Sequence, residues 1–239
     1  MTNVTIDLPV SERQREILSL AESQGFVTIE NLAQRFQVSA QTVRRDIIAL
    51  DEAGLLQRFH GGAGSNERVE TMRLGHAHKK DLSPDAKRRI AERAAALVHD
   101  GATLFLDVGT TIEAAAEALN RRKALRIFTN NLRAALRFEP AQHDVHVLGG
   151  TLTGRDGSLT GGRVVTALSG LNLDFALIGC SGIEPSGRVM DFDLNKIEVK
   201  KTAMRIARTS LLLADASKLG RSALAEIAAR SAFGEVIIE

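Results

Sequence analysis

Only Gln37 and Val38 separate two stretches that carry the apolar spacing of short amphipathic helices, and so short a connection permits few arrangements. Upstream, residues 28–36 place Ile29, Leu32, Ala33 and Phe36 at i, i+3, i+4 and i+7. Downstream, Ser39 stands as an N-cap before Ala40-Gln41-Thr42-Val43-Arg44-Arg45-Asp46-Ile47-Ile48-Ala49-Leu50. Val43, Ile47 and Leu50 share one stripe of that helix, with Ala40 beside it. The two helices must turn sharply and bury their stripes together. Gln41, Thr42, Arg44 and Arg45 then face outward near the second helix's N-terminus, within reach of a base edge or a phosphate. A lone amphipathic helix with two outward arginines is ordinarily just a solvated surface, so the neighbouring residues decide its reading. Residues 54–63 read as a hairpin or wing bearing Arg58 and His60, its glycines permitting a tight bend. Helix, turn, helix and wing make a unit that reads double-stranded DNA. Its expected contacts are Ser39, Gln41, Thr42, Arg44, Arg45, Arg58, His60 and Gly61.

Charge does not make this case by itself. The chain's net charge is +2, yet residues 1–75 hold 8 Lys and Arg against 10 Asp and Glu. The basic groups must therefore converge by placement. Ser11-Glu12-Arg13-Gln14 has the form of a capping box, and Gly25 closes the helix that follows it. Ile17, Leu18 and Ala21 of that helix are expected under the recognition helix, and Phe26-Val27 is expected to pair with the wing. Tyr and Trp are absent, which weakens a single-stranded nucleic-acid reading. One cysteine forbids an internal disulfide, no apolar run approaches a membrane span, and residues 1–10 lack the make-up of a signal peptide. A cytoplasmic protein without membrane association is expected. Its 239 residues suffice for a small and a medium domain: 1–63, a linker 64–83, and 84–239. His76 and His78 in the linker have no Cys or acid at a metal-ligating spacing, so no metal site and no cofactor are expected.

From Ser83 onward helices alternate with apolar runs. Ser83 reads as an N-cap, Pro84 as the first helical position, and Ile90, Ala91, Ala94, Leu97 and Val98 as a buried face. Strands are expected at 103–106, 125–128, 145–148, 175–178, 211–214 and 236–238, with helices at 111–119 and near 132–138. Continuous apolar runs of this kind imply strands buried on both faces of a largely parallel α/β sheet. Such sheets bind ligands beyond the carboxyl ends of their strands. Here those ends are Asp107-Val108-Gly109-Thr110-Thr111, Thr129-Asn130-Asn131, Gly149-Gly150, Gly179-Cys180-Ser181-Gly182 and Asp215-Ala216-Ser217-Lys218. Gly109, Thr110 and Thr111 lead into a helix whose backbone N–H groups suit an anion. Lys200 and Lys218 are candidates for the countercharge. Asp107, Asp215 and the asparagines, Asn130 included, are candidates to bind hydroxyls. A small polyhydroxylated phosphate fits the set. Singly the members are bland: Cys180 reads as a packing residue, Asp191 and Asp193 as helix-start acids, and Lys200 and Lys201 equally as solvated helix residues. An alternative is a sugar-phosphate isomerase or deaminase with an appended DNA-binding domain. It needs a general base, and Asp107, Asp215 and Glu198 show no recognisable catalytic pairing.

Ser39-Ala40-Gln41-Thr42-Val43-Arg44-Arg45-Asp46-Ile47, with Leu55 and His60-Gly61-Gly62-Ala63, resembles the winged helix-turn-helix signature of the DeoR family of bacterial transcription regulators. The strand-end motifs, with Glu198-Val199-Lys200, are similar to those of that family's sensor domain, so the resemblance runs from Arg13 to about Ser222. It implies a second domain similar in fold to ribose-5-phosphate isomerases, glucosamine-6-phosphate deaminases and CoA transferases. It also implies operator DNA as partner, a homodimer or homotetramer, and a phosphorylated sugar or polyol as the releasing effector. By the family's pattern Lys79, Lys87, Asp215 and Lys218 are effector contacts. The shorter runs Arg155-Asp156-Gly157-Ser158-Leu159, Gly179-Cys180-Ser181-Gly182-Ile183 and Asp191-Phe192-Asp193 are similar to members concerned with glycerol 3-phosphate, which places that ester first. Lys196 stands where an acid is common in the family, a change expected to show at the pocket rim or a subunit contact. The chain also ends at Glu239, sooner after its last strand than relatives usually do.

Overall fold

A computed structural model describes residues 10–24, 26–59, 61–65, 82–153 and 156–239. Gly25, His60, Arg155 and the linker residues His76, His78, Lys79 and Lys80 lie outside the described residues, as do residues 1–9. The chain divides into two compact units, each with its own core.

The first unit opens with α1 (Glu12–Gln24). Its capping box closes reciprocally: Ser11 N donates to Gln14 Oε1 at 3.0 Å, and Gln14 N to Ser11 Oγ at 3.2 Å. After β1 (Phe26–Thr28), Thr28 Oγ1 accepts the Asn31 N–H and starts α2 (Ile29–Phe36). Gln37 ends α2 in the left-handed region (φ 53°), which turns the chain sharply enough for Ser39 to cap α3 (Ala40–Glu52) two residues later. Val43, Ile47 and Leu50 of α3 close on Ile17, Ala21, Ile29 and Leu32, all buried. Strands β2 (Leu56–Phe59) and β3 (Gly62–Ser65) form the wing, with β1 paired to β3 in the order β1-β3-β2. Gly62 permits that pairing, because a Cβ there would lie 2.2 Å from the Val27 carbonyl oxygen.

The second unit runs α4 (Pro84–Leu97), β4 (Thr103–Leu106), α5 (Thr110–Leu119), β5 (Arg126–Thr129), α6 (Leu132–Ala135), β6 (Asp144–Val147), β7 (Thr151–Thr153) and β8 (Ser158–Thr160). It continues with α7 (Gly162–Ser169), β9 (Leu173–Gly179), β10 (Gly182–Ile183), β11 (Arg188–Asp191), α8 (Leu194–Ile206), β12 (Ala207–Ala214), β13 (Ala225–Ala229) and β14 (Glu235–Ile238). Six strands make one parallel sheet in the order β14-β12-β9-β4-β5-β6. One face, carrying Leu104, Leu106, Leu177 and Leu213, packs on α4 and α5. The other, carrying Phe105, Ala176, Ile178 and Leu212, packs on α7 and α8. The chain winds outward from β4 through β5 to β6 and then returns to β9 on β4's other side. The strand order therefore reverses between β4 and β9, and the carboxyl ends of those two strands are the switch point at which open α/β sheets bind ligands.

Three expectations need correction. Strand β6 is not buried on both faces: it is an edge, and Asp144, His146 and Val147 are exposed. Leu97, expected in the buried face of α4, is 47% exposed because the helix ends there. Ser83 precedes α4 but makes no side-chain capping bond, since its backbone is left-handed (φ 49°). A three-stranded antiparallel sheet, β10-β11-β13, and the β7–β8 hairpin had no clear period in the sequence.

Candidate functional sites

In the first unit, Ser39 Oγ accepts the Thr42 N–H at 3.1 Å, which fixes the start of α3. Ser39, Gln41, Arg44 and Arg45 are exposed and Thr42 half-buried along its outer side. No acid pairs with Arg44, Arg45 or Arg58 among the described residues, so their charge is available to an anionic partner. Arg58 is exposed on β2, and its backbone N–H is held by Asp51 Oδ1 at 2.9 Å, which ties the wing to the end of α3. Gly61 (φ +95°) makes the turn between β2 and β3. The inner side of α3 carries a group that sequence reasoning missed. Asp46 is 8% exposed and accepts Arg13 Nε at 2.6 Å, Arg13 Nη2 at 3.3 Å and Gln14 Nε2 at 3.4 Å, which cross-links α3 to α1. The signal was its spacing: Asp46 lies three residues after Val43 and four before Leu50, inside the buried stripe.

In the second unit a buried ionic cluster lies at the carboxyl ends of β4 and β9. Lys200 of α8 is 1% exposed, and its Nζ donates to Asp107 Oδ2 and, at 2.9 Å, to the Gly179 carbonyl. Asp191 Oδ2 lies 3.1 Å from the same ammonium. Asp191 Oδ1 accepts Ser181 Oγ at 2.7 Å and the Phe192 N–H at 2.8 Å. One ammonium faces two carboxylates, so the second carboxylate is penalised. Burial pushes the Asp107 carboxyl above its ordinary value against the pull of Lys200. Burial opposes ionisation of Asp191 too, but Lys200, Ser181 and Phe192 outweigh it and hold its carboxyl below the ordinary value. Lys200 is raised despite burial, by Asp107 and then Asp191. Its charge is matched within the chain.

Beside the cluster, Gly109 (φ +122°) turns the chain from β4 into α5, so Gly109, Thr110 and Thr111 stand half-buried at a helix N-terminus. Asn130 is fully buried and donates its amide to the Leu159 carbonyl at 2.8 Å, while Asn131 caps α6. Among the described residues, Asp107 Oδ1 and Asn130 Oδ1 have no hydrogen-bond partner. Leaving a buried acceptor in that state costs about 1–3 kcal/mol. Gly149 is open, whereas a Cβ on Gly150 would meet Val164 at 2.6 Å, and one on Gly182 would lie 2.4 Å from the Arg221 carbonyl oxygen. Those two glycines therefore serve close packing. Asp215 caps the single turn Ala216–Lys218, its Oδ1 accepting Ser217 N and Ser217 Oγ. Lys218 acts on Cys180, though burial dominates there and pushes the thiol up to about 12. Lys87 is buried and donates to the Leu82 carbonyl at 2.6 Å. The structure thus gathers Asp107, Gly109, Thr110, Thr111, Asn130, Ser181 and Lys200 about the carboxyl ends of β4 and its neighbours β5 and β9. Asp215 and Lys218 follow β12 on one side of these ends, and Gly149 and Gly150 follow β6 on the other.

Residues 13–69 match the DeoR-like helix-turn-helix domain, and residues 83–239 match the DeoR C terminal sensor domain. The chain belongs to the DeoR family. It is 38% identical to the glycerol-3-phosphate regulon repressor of Haemophilus influenzae, over 91% of this chain and 84% of that one. To the repressor of the same name in Escherichia coli it is 37% identical, over 90% and 84%. The lactose phosphotransferase system repressor of Streptococcus mutans shares 32%, over 88% and 84%. Among solved structures, the sorbitol operon regulator SorC of Klebsiella pneumoniae aligns with a TM-score of 0.43 at 13% identity, covering 96% of this chain and 97% of that one. Ribose 5-phosphate isomerase A of Methanocaldococcus jannaschii aligns with 0.43 at 18%, covering 57% and 55%. Membership makes this chain a DNA-binding transcription regulator with a separate sensor domain. Lys196 pairs with Asp156 Oδ2 at 2.5 Å, so its charge is met by an acid of the chain itself. Among the described residues no helix is long and apolar enough to cross a membrane, and no cluster of His, Cys, Asp and Glu is placed to hold a metal ion.

Proposed function

We propose that this DeoR-family regulator represses a carbohydrate or polyol catabolic operon and leaves its operator when a phosphorylated sugar or polyol binds the second unit, glycerol 3-phosphate being the first candidate. The observation that carries the reading is the Gly109-Thr110-Thr111 turn, a helix N-terminus at the carboxyl edge of a parallel sheet beside the switch in strand order. The names of the relatives support the same effector class. In this reading Thr42, Arg44 and Arg45 enter the major groove with Gln41 assisting, and Arg58 and His60 meet phosphates or the minor groove. Lys79, Lys87, Asp215 and Lys218 serve the effector. The working domains are 1–63 and 84–239, joined by 64–83, in a cytoplasmic homodimer or homotetramer without enzymatic activity. Two copies answer a physical need, since one small winged helix reads few base pairs.

The effector must favour the released state, because equal affinity for both states shifts nothing. Coupling of about 1–3 kcal/mol lowers operator affinity roughly 5- to 150-fold. Fluorescence anisotropy of labelled DNA from the gene's own upstream region, titrated at one stated salt with glycerol 3-phosphate and a panel of tetritol, pentose and hexose phosphates, tests this. Selective release by one ester is the expected result. DNA binding that no ester alters defeats the sensor reading, and absence of specific binding to any promoter fragment defeats the regulator reading of α3.

A further inference from the structure

Asp107 and Asn130 stand side by side. The register pairing Leu106 with Thr129 makes them the next residues on neighbouring parallel strands, about 4.8 Å apart across the ladder. They project from the same sheet face, since Phe105 and Phe128, two residues earlier on each strand, both pack in the core beneath α7 and α8. Both are fully buried. Each has half of its side chain committed to the protein. Asp107 Oδ2 takes the Lys200 ammonium and the Gly179 N–H, and the Asn130 amide nitrogen faces the Leu159 carbonyl. That carbonyl also settles which way the amide points, because a second acceptor cannot face it. The Val108 N–H also acts on the Asp107 carboxylate, and what remains on each residue is Oδ1, for which no donor meets hydrogen-bond geometry among the described residues.

We propose that Asp107 Oδ1 and Asn130 Oδ1 are the hydroxyl-recognising pair of the effector site, accepting hydrogen bonds from two neighbouring hydroxyls of an ester whose phosphate lies at Gly109–Thr111. This rests on the reading of that edge as a phosphate-ester sensor. The pair sets the ligand class. An alkyl phosphate of equal length satisfies the turn but leaves two buried acceptors without donors, and a site built around such groups rejects the analogue that lacks the hydroxyl. The other end of the ligand must also be uncharged. Two carboxylates around one ammonium already bias this spot negative, so a carboxylate in place of a hydroxymethyl group is repelled.

Isothermal titration of the full-length protein against chain-matched pairs tests the assignment: glycerol 3-phosphate with n-propyl phosphate, and ribitol 5-phosphate with n-pentyl phosphate. 3-Phosphoglycerate is the acidic probe and inorganic phosphate the control for the turn. In whichever pair binds, the hydroxylated ester is expected to bind at least about tenfold tighter than its alkyl partner, with 3-phosphoglycerate excluded. In Asn130→Ala, checked for a wild-type melting curve, that preference is expected to shrink to about twofold. Equal binding of the two members by the wild type overturns the inference, and so does an undiminished preference in Asn130→Ala. If the variant does not fold, the wild-type comparison decides alone. Failure of every ester and of inorganic phosphate to bind removes the sensor reading itself and this inference with it, whereas indiscriminate phosphate binding removes only the hydroxyl pair.

Discussion

Single residues here owe their roles to what surrounds them. Arg45 is exposed on the outer side of α3 with no acid paired to it among the described residues, so Arg45→Ala is expected to weaken operator binding by about 1–3 kcal/mol if it reads a base. An anisotropy titration that shows unchanged affinity removes it from the contact set. Lys200 is the opposite case. Lys200→Met leaves Asp107 and Asp191 buried together without their cation, a change expected to cost about 3–5 kcal/mol in urea unfolding of the second unit. The acids also fix the sign of the pH response. Asp191 is depressed when folded, so its contribution is complete above the unfolded carboxyl value, near pH 4, and is lost as pH falls through the folded value. Asp107 is raised, so its contribution grows as pH falls through its own folded value. Melting temperature against pH is therefore expected to fall more steeply below about pH 4 in the wild type than in Asp191→Asn. Parallel curves would place the acid sensitivity elsewhere.

At the level of elements, the helix starts were legible because their chemistry is local. Ser11 with Gln14, Thr28 and Ser39 each satisfy N–H groups within three residues, and the capping box was visible from spacing alone. Ser83 shows the limit: the residue type was right, but its left-handed backbone turns the hydroxyl out of capping position. Gly62 marks where an element depends on another element. Gly62→Ala drives a methyl group into the Val27 carbonyl and the Phe26 ring, so β1 and β3 must part. A loss of about 1–3 kcal/mol in the first unit is expected, with weaker operator binding from a displaced wing. A melting curve and affinity matching the wild type would show that the strand absorbs the methyl.

For the whole molecule, the proposed function requires the two units to exchange free energy. Linkage makes that exchange reciprocal: whatever factor the effector removes from operator affinity, saturating operator DNA must remove from effector affinity. Titrating the releasing ester into the protein, with and without operator DNA at one salt concentration, is expected to show the same ratio as the anisotropy experiment. Unequal ratios would mean that the two titrations do not report on one two-state equilibrium.

The sequence by itself determined the winged helix-turn-helix, the six strands of the parallel sheet and the polar character of the strand ends. Those features rest on periodicity, caps and turn residues, which act over a few positions. The tertiary structure alone decided which polar groups are committed. That Lys200 is matched by Asp107 and Asp191, that Asp46 reaches back to Arg13, and that Lys196 meets Asp156 depend on partners 9 to 93 residues away. It likewise decided that Asp107 and Asn130, just past the ends of adjoining strands, each keep one oxygen unpaired among the described residues. Strand order and register set those meetings, and burial gives them their energy; neither is carried by any short run of residues.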